Sequence, residues 1–309
     1  MRWLLLLGLV AACAAHADCG TAPPGLNTVA QTPQRLKDYA TFRDYEIQIA
    51  DSCDASKGGS EVEILKKGKP VYAATGHSFA IGYALAQDQP PDSVKPKIGD
   101  DFTGEGIPEL LISEYSGGGH CCYTFHLFRL GERFSHIQDI PLLDADESAF
   151  VRRPGVKGLV LAGFDFSAFA YFPKGFADSP AGRVFLSFQG DRFKLDARLM
   201  KANSPTDAEV ARCAALFKPS RDWKNFQPLG VWYYATDLIY TGNAAQAWTF
   251  LDAAWGGSGT DKKKYLDDYR QRFRKSAYYH DLMQLQQAPV SVMGQKIDWT
   301  RQCFAYMHG

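Results

Sequence analysis

The sequence lacks a charge excess: lysine plus arginine and aspartate plus glutamate both number 34. No global field therefore draws the chain to nucleic acid or to an anionic membrane. Beyond Val10 it also lacks any apolar run near the roughly 18 residues that a spanning helix needs, which predicts no transmembrane segment in the mature chain. Neither a Gly-x-Ser-x-Gly elbow nor a His-Glu-x-x-His helix occurs, so two common hydrolase signatures are missing.

What is present begins with an export address. Arg2, the apolar stretch Trp3 to Val10 and the small-x-small site Ala15-His16-Ala17 before Asp18 read as a signal peptide over residues 1–17. The expected location is periplasmic or secreted. Val10-Ala11-Ala12-Cys13 resembles a lipobox, so the alternative is a lipoprotein anchored through Cys13.

Past the signal stand Cys19, Cys53, Cys121, Cys122, Cys213 and Cys303, an even set that in an exported protein points to disulfides. Cys213 and Cys303 share the C-terminal region and are paired first. For the others, either Cys19 joins Cys53 beside a vicinal Cys121–Cys122 ring, or the first two cross to the second two.

Residues 18–44 carry Pro23-Pro24 and Pro33 and read as an extended lead-in with one short helix near Leu36 to Phe42. Alternation at Tyr45, Ile47 and Ile49 and the turn Lys67-Gly68-Lys69 within Glu61 to Ala74 predict a strand and then a hairpin. Further strands are expected at Glu109 to Glu114, Tyr123 to Leu130, Leu159 to Gly163, Val184 to Phe188 and Arg192 to Leu195. Residues 45–200 thus form an antiparallel β-rich body, either partial propeller-like or sandwich-like.

The period changes after Ser204-Pro205-Thr206-Asp207, a helix start. Residues 204–309 read as an all-helical domain, with helices at Leu229 to Tyr240, Ala244 to Trp255, Lys262 to Arg274 and Tyr278 to Gln286. The fold class is α+β. Ala235, Gly242, Ala247 and Ala254 give Val231 to Ala254 a weak resemblance to a tetratricopeptide hairpin, and a generic helical hairpin is the plainer reading.

The sharpest motif is Gly99-Asp100-Asp101-Phe102-Thr103-Gly104-Glu105-Gly106-Ile107-Pro108-Glu109-Leu110. Oxygen donors at Asp101, Thr103, Glu105 and Glu109, with the Ile107 carbonyl, suit a hard cation such as calcium. An EF-hand is excluded, because its twelfth position would be Ile112 rather than glutamate. This loop-then-strand pattern over residues 99–130 resembles the FG-GAP and VCBS-like repeats of integrin-type propellers, of the kind found in exported bacterial proteins. The resemblance implies one weak calcium loop, with no other cofactor expected.

Glu114, Tyr115 and His120, around the glycine-rich stretch Ser116 to Gly119, form the candidate binding surface. His120, Cys121, Cys122 and His126 offer metal-ligating chemistry, but neighbours on a strand point to opposite faces and cannot all converge. The expected function is an exported envelope protein that acts by binding an envelope protein or glycan. The alternative is a hydrolase of envelope material centred near His120.

Overall fold

The computed structural model describes residues 34–53, 59–83, 92–118, 121–143, 148–169, 175, 178–219, 228–257 and 259–307. The expected signal peptide, Cys13, Cys19 and His120 lie outside them, as does the side chain of Cys121.

The first sheet is a meander of β1 (Gln34–Phe42), β2 (Tyr45–Ser52), β3 (Ser60–Lys66) and β4 (Lys69–Gly76), paired in that order. The expected hairpin is β3–β4, turning at Lys67-Gly68, both at positive φ. The short helix expected near Leu36 to Phe42 is instead strand β1. A bulge between Leu36 and Asp38 breaks its alternation, and Leu36 and Tyr39 consequently fall at a helix-like spacing although the backbone is extended.

β5 (Ser78–Ile81) and β6 (Ser93–Val94) precede three long strands, β7 (Glu109–Gly118), β8 (Cys121–Leu130) and β9 (Phe134–Leu143). The central sheet runs β5-β7-β8-β9. β10 (Ala149–Val151), β11 (Val160–Asp165), β12 (Gly182–Gln189) and β13 (Arg192–Leu195) join β6 in a third sheet of order β13-β12-β11-β10-β6.

Two hydrophobic cores cover opposite faces of the central sheet, which explains why β7 and β8 carry near-continuous apolar runs. Leu110, Ile112, Phe128 and Leu130 pack against Tyr45, Ile47, Ile49, Val62 and Ile64 of the first sheet. Leu111, Phe125 and Leu127 face the other way, onto the third sheet and the helices. Burying each such side chain contributes on the order of 1.5–3 kcal/mol. The layering is that of a sandwich.

The helices are α1 (Ala197–Met200), α2 (Asp207–Phe217), α3 (Leu229–Tyr240), α4 (Ala244–Ala253), α5 (Gly259–Phe273), α6 (Tyr279–Leu285) and α7 (Trp299–Ala305). At the predicted start of α2, Thr206 is the cap and Glu209 completes a capping box. Ser204 instead donates to Asn243 at 2.6 Å. The α3–α4 hairpin turns through Gly242 at φ 79°.

The helical part is fastened to the sheets by buried polar contacts as well as by packing. The Tyr240 hydroxyl donates to Asp165 at 2.6 Å, and Ser276 donates to the same carboxylate at 2.5 Å. Tyr240 lies flat on Gly182 of β12, where a Cβ would come within 2.2 Å of the ring. Cys213 of α2 is bonded to Cys303 of α7, the pair expected first, across 90 residues of sequence. Cys53 and Cys122 each take part in a further disulfide. None of the described helices is long and apolar enough to cross a membrane.

Candidate functional site

The face of the central sheet that turns toward the first sheet is apolar along Leu110, Ile112, Phe128 and Leu130, and becomes polar toward one end. On β7 the next residue of that face after Ile112 is Glu114. On β8 the residue before Phe128 is His126, paired across to Asp139 of β9. β9 adds His136.

A regular strand would send His136 and Asp139, three residues apart, to opposite faces. A bulge opposite Leu127 and Phe128 inserts Ile137 as an extra residue. Ile137 and Ile140 can then both face the helix-side core, while His136 and Asp139 share the other face. The bulge therefore creates the site.

Its geometry is close. His126 Nδ1 lies 2.7 Å from Asp139 Oδ1, and His136 Nε2 lies 2.6 Å from the same oxygen. His126 Nε2 lies 3.0 Å from Glu114 Oε2. The His126 side chain is 10% exposed and Asp139 is 50% exposed, so the floor is fixed and the rim is open to solvent.

A neutral imidazole donates from one nitrogen only, so with carboxylates at both nitrogens a proton or another cation must sit between one pair. The charges of Asp139 and Glu114 are felt nearby. Burial, followed by those two carboxylates, pushes the Tyr72 hydroxyl of β4 above its ordinary range.

The surroundings hold these groups in place. Phe79 packs on His126 with ring centroids 6.0 Å apart. Gly76 leaves room for the Glu114 carboxylate, because a Cβ there would come within 2.3 Å of Glu114 Oε1. Tyr115 packs against Tyr123 at 4.9 Å and against the exposed His77 at 5.8 Å, and because Tyr115 follows Glu114 directly and Tyr123 packs on the helix-side core, this tyrosine pair lies on the opposite face of the sheet from Glu114. Gly117, at φ 86°, gives space for the His77 ring. Of the predicted binding residues, Glu114 joins the histidines, whereas Tyr115 belongs to the other face.

The acidic loop is built differently. Asp101 Oδ1 accepts from the amides of Gly104 at 2.7 Å and Glu105 at 3.0 Å, and Oδ2 accepts from Gly106 at 2.8 Å. Glu109 is fully buried. It accepts from the Phe102 amide at 2.6 Å, the Thr103 amide at 2.9 Å and the Thr103 hydroxyl at 2.6 Å. Burial pushes the Glu109 carboxyl up, and these donors pull it partly back.

Asp101, Thr103 and Glu109 therefore come together, whereas Glu105 is drawn away to Arg129. The Ile107 side chain packs against Gly131. Calcium takes six to eight oxygens. Here the carboxylate oxygens already serve the loop's own amides, and the four predicted side chains do not close into one shell.

Of the sequence-based metal suspects, His126 enters the cluster and Cys122 is disulfide-bonded, while His120 and the Cys121 side chain lie outside the described residues. The partners of His126 come from the neighbouring strands β7 and β9. Sequence reasoning missed His136 and Asp139, and the one available signal was a histidine and an aspartate in a segment without clean alternation. No protein-family model, no curated protein and no solved structure matches this chain, so its functional reading rests on the geometry above.

Proposed function

We propose that this chain is an exported envelope protein that works as a binding module, with its contact face at the rim between the first and central sheets. One observation supports this most: two imidazoles and two carboxylates meet within hydrogen-bond distance on a half-open floor. Polar groups converging on an open floor make a recognition surface. The export reading of residues 1–17 and the disulfide chemistry support the compartment. The acidic loop keeps a secondary place in the proposal as one weak calcium position whose main duty is to brace the start of β7.

Co-sedimentation of the purified mature chain with an envelope fraction tests the reading. Retention is expected to fall several-fold for His136→Ala. Equal retention of both forms would remove this face from the proposal. Soluble fragments released by the wild type and not by His126→Asn would make the chain a hydrolase instead.

A further inference from the structure

We infer that the resident ligand of this face is a divalent transition-metal ion, held by His126 Nδ1, His136 Nε2 and the Asp139 carboxylate, with Glu114 as the positioning residue behind His126. The inference rests on the same site as the proposed function and adds the chemistry of its ligand. The three ligand atoms lie within 4.8 Å of one another. Zinc–nitrogen and zinc–oxygen bonds of about 2.0–2.2 Å place the donors of a tetrahedron roughly 3.3 Å apart. The present contacts of 2.7 and 2.6 Å around Asp139 Oδ1 therefore need to open by less than about 1 Å.

The donor set fits this class of ion. Two imidazoles with one carboxylate suit zinc and its late first-row neighbours, whereas calcium and magnesium prefer all-oxygen shells. Glu114 gives the strongest argument. A metal-bound histidine characteristically donates its other ring N–H to a carboxylate, which fixes the tautomer and aims the free nitrogen at the ion. Glu114 stands in that relation to His126, with its Oε2 3.0 Å from Nε2. With Nε2–H donated to Glu114, His126 Nδ1 and Asp139 Oδ1 would face each other as two acceptors. A cation between them resolves that contact and draws in the His136 nitrogen as well.

Three protein ligands leave the fourth tetrahedral position open. The exposed side of Asp139 puts that position at the solvent rim, within reach of a bound partner. The ion therefore links to the recognition surface rather than being sealed beneath it.

The test uses the mature chain with its disulfides intact, stripped by a chelator and titrated with zinc by competition against a metal indicator. One equivalent is expected to bind. Affinity is expected to fall at least 100-fold for His136→Ala and for Asp139→Asn, about tenfold for Glu114→Gln, and not at all for the neighbouring His77→Ala. No zinc binding by the wild type, or equal affinity in the wild type, His136→Ala and Asp139→Asn, would overturn the site.

A measurement on the wild type alone guards against variants that fail to fold. X-ray absorption of the zinc-loaded protein should show a nitrogen and oxygen shell with imidazole scattering, and a sulfur ligand or a shell without imidazole would overturn the assignment. Envelope retention without zinc binding removes this inference and leaves the proposed function standing. Zinc binding without envelope retention does the reverse.

Discussion

The acidic loop and the histidine cluster lie in the same β body and differ in what their carboxylates face. In the loop, the oxygens of Asp101 and Glu109 accept from backbone amides or from a neighbouring hydroxyl. In the cluster, Glu114 and Asp139 face imidazole nitrogens across strands, and those imidazoles have no amide duty. A carboxylate that holds amides shapes the chain. A carboxylate that faces a second titratable side chain on an open floor is placed to exchange partners with a ligand.

The largest effect expected from this contrast is on stability. Glu109→Ala would strand three donors at a fully buried position, and unsatisfied groups cost about 1–3 kcal/mol each. Urea denaturation should therefore show a loss of about 3–5 kcal/mol. His136→Ala, at an open rim, should stay within about 0.5 kcal/mol of the wild type. Equal losses in the two variants would erase the distinction between strut and site.

A third acid sharpens it. Asp196 caps α1, accepts from Ser187 at 2.7 Å, and takes both the amide and the guanidinium of Arg198. Burial pushes its carboxyl up, but the bonds from Arg198 and Ser187 prevail and hold it below the usual value of 3.8. A carboxyl lowered on folding contributes stability above its unfolded value and loses it as the pH falls through its folded one. Asp196→Asn should therefore cost about 1–3 kcal/mol at neutral pH. The gap from the wild type should close as the pH drops below 3.8. A gap of constant size down to strong acid would show that Asp196 does not act through its charge.

A smaller effect isolates the positioning of Glu114. Gly76→Ala places a methyl group where Glu114 Oε1 lies, 2.3 Å from the new Cβ. Zinc affinity is expected to fall about tenfold, the loss typical when a partner behind a ligand is displaced, although no ligand has been altered. An unchanged affinity, measured by the same indicator titration, would show that Glu114 does not orient His126.

Much of the architecture was legible in the sequence because its apolar stretches are clearly bounded. The hairpin around Lys67-Gly68 alternates, while strand β8 and helix α3 are near-continuous apolar stretches that end at a turn or a glycine. The short elements β5, β6, β10, α1 and α7 carry too few residues to show a period, and two longer misses came from bulges. The one in β1 gave Leu36 and Tyr39 a helix-like spacing. The one in β9 hid a strand that also contains Pro141, which an edge strand tolerates. That second bulge brings His136 and Asp139 onto one face, so an irregularity invisible to pattern reading also assembles the candidate site. Glu114 could be suspected from its loop, and His126 from its neighbours. Their mutual contact depends on strand register, which no local motif encodes.

The thermal unfolding midpoint of the chelator-stripped protein, recorded with and without zinc, tests the central claim most directly when wild type and Asp139→Asn are run side by side. At a free zinc concentration near 100 times the dissociation constant, a site specific to the folded state adds about 2.7 kcal/mol. For a chain of this size that is a rise of roughly 4 °C, expected in the wild type and absent in Asp139→Asn. A rise of equal size in both, or none in the wild type, would contradict the claim that the cross-strand cluster holds an ion.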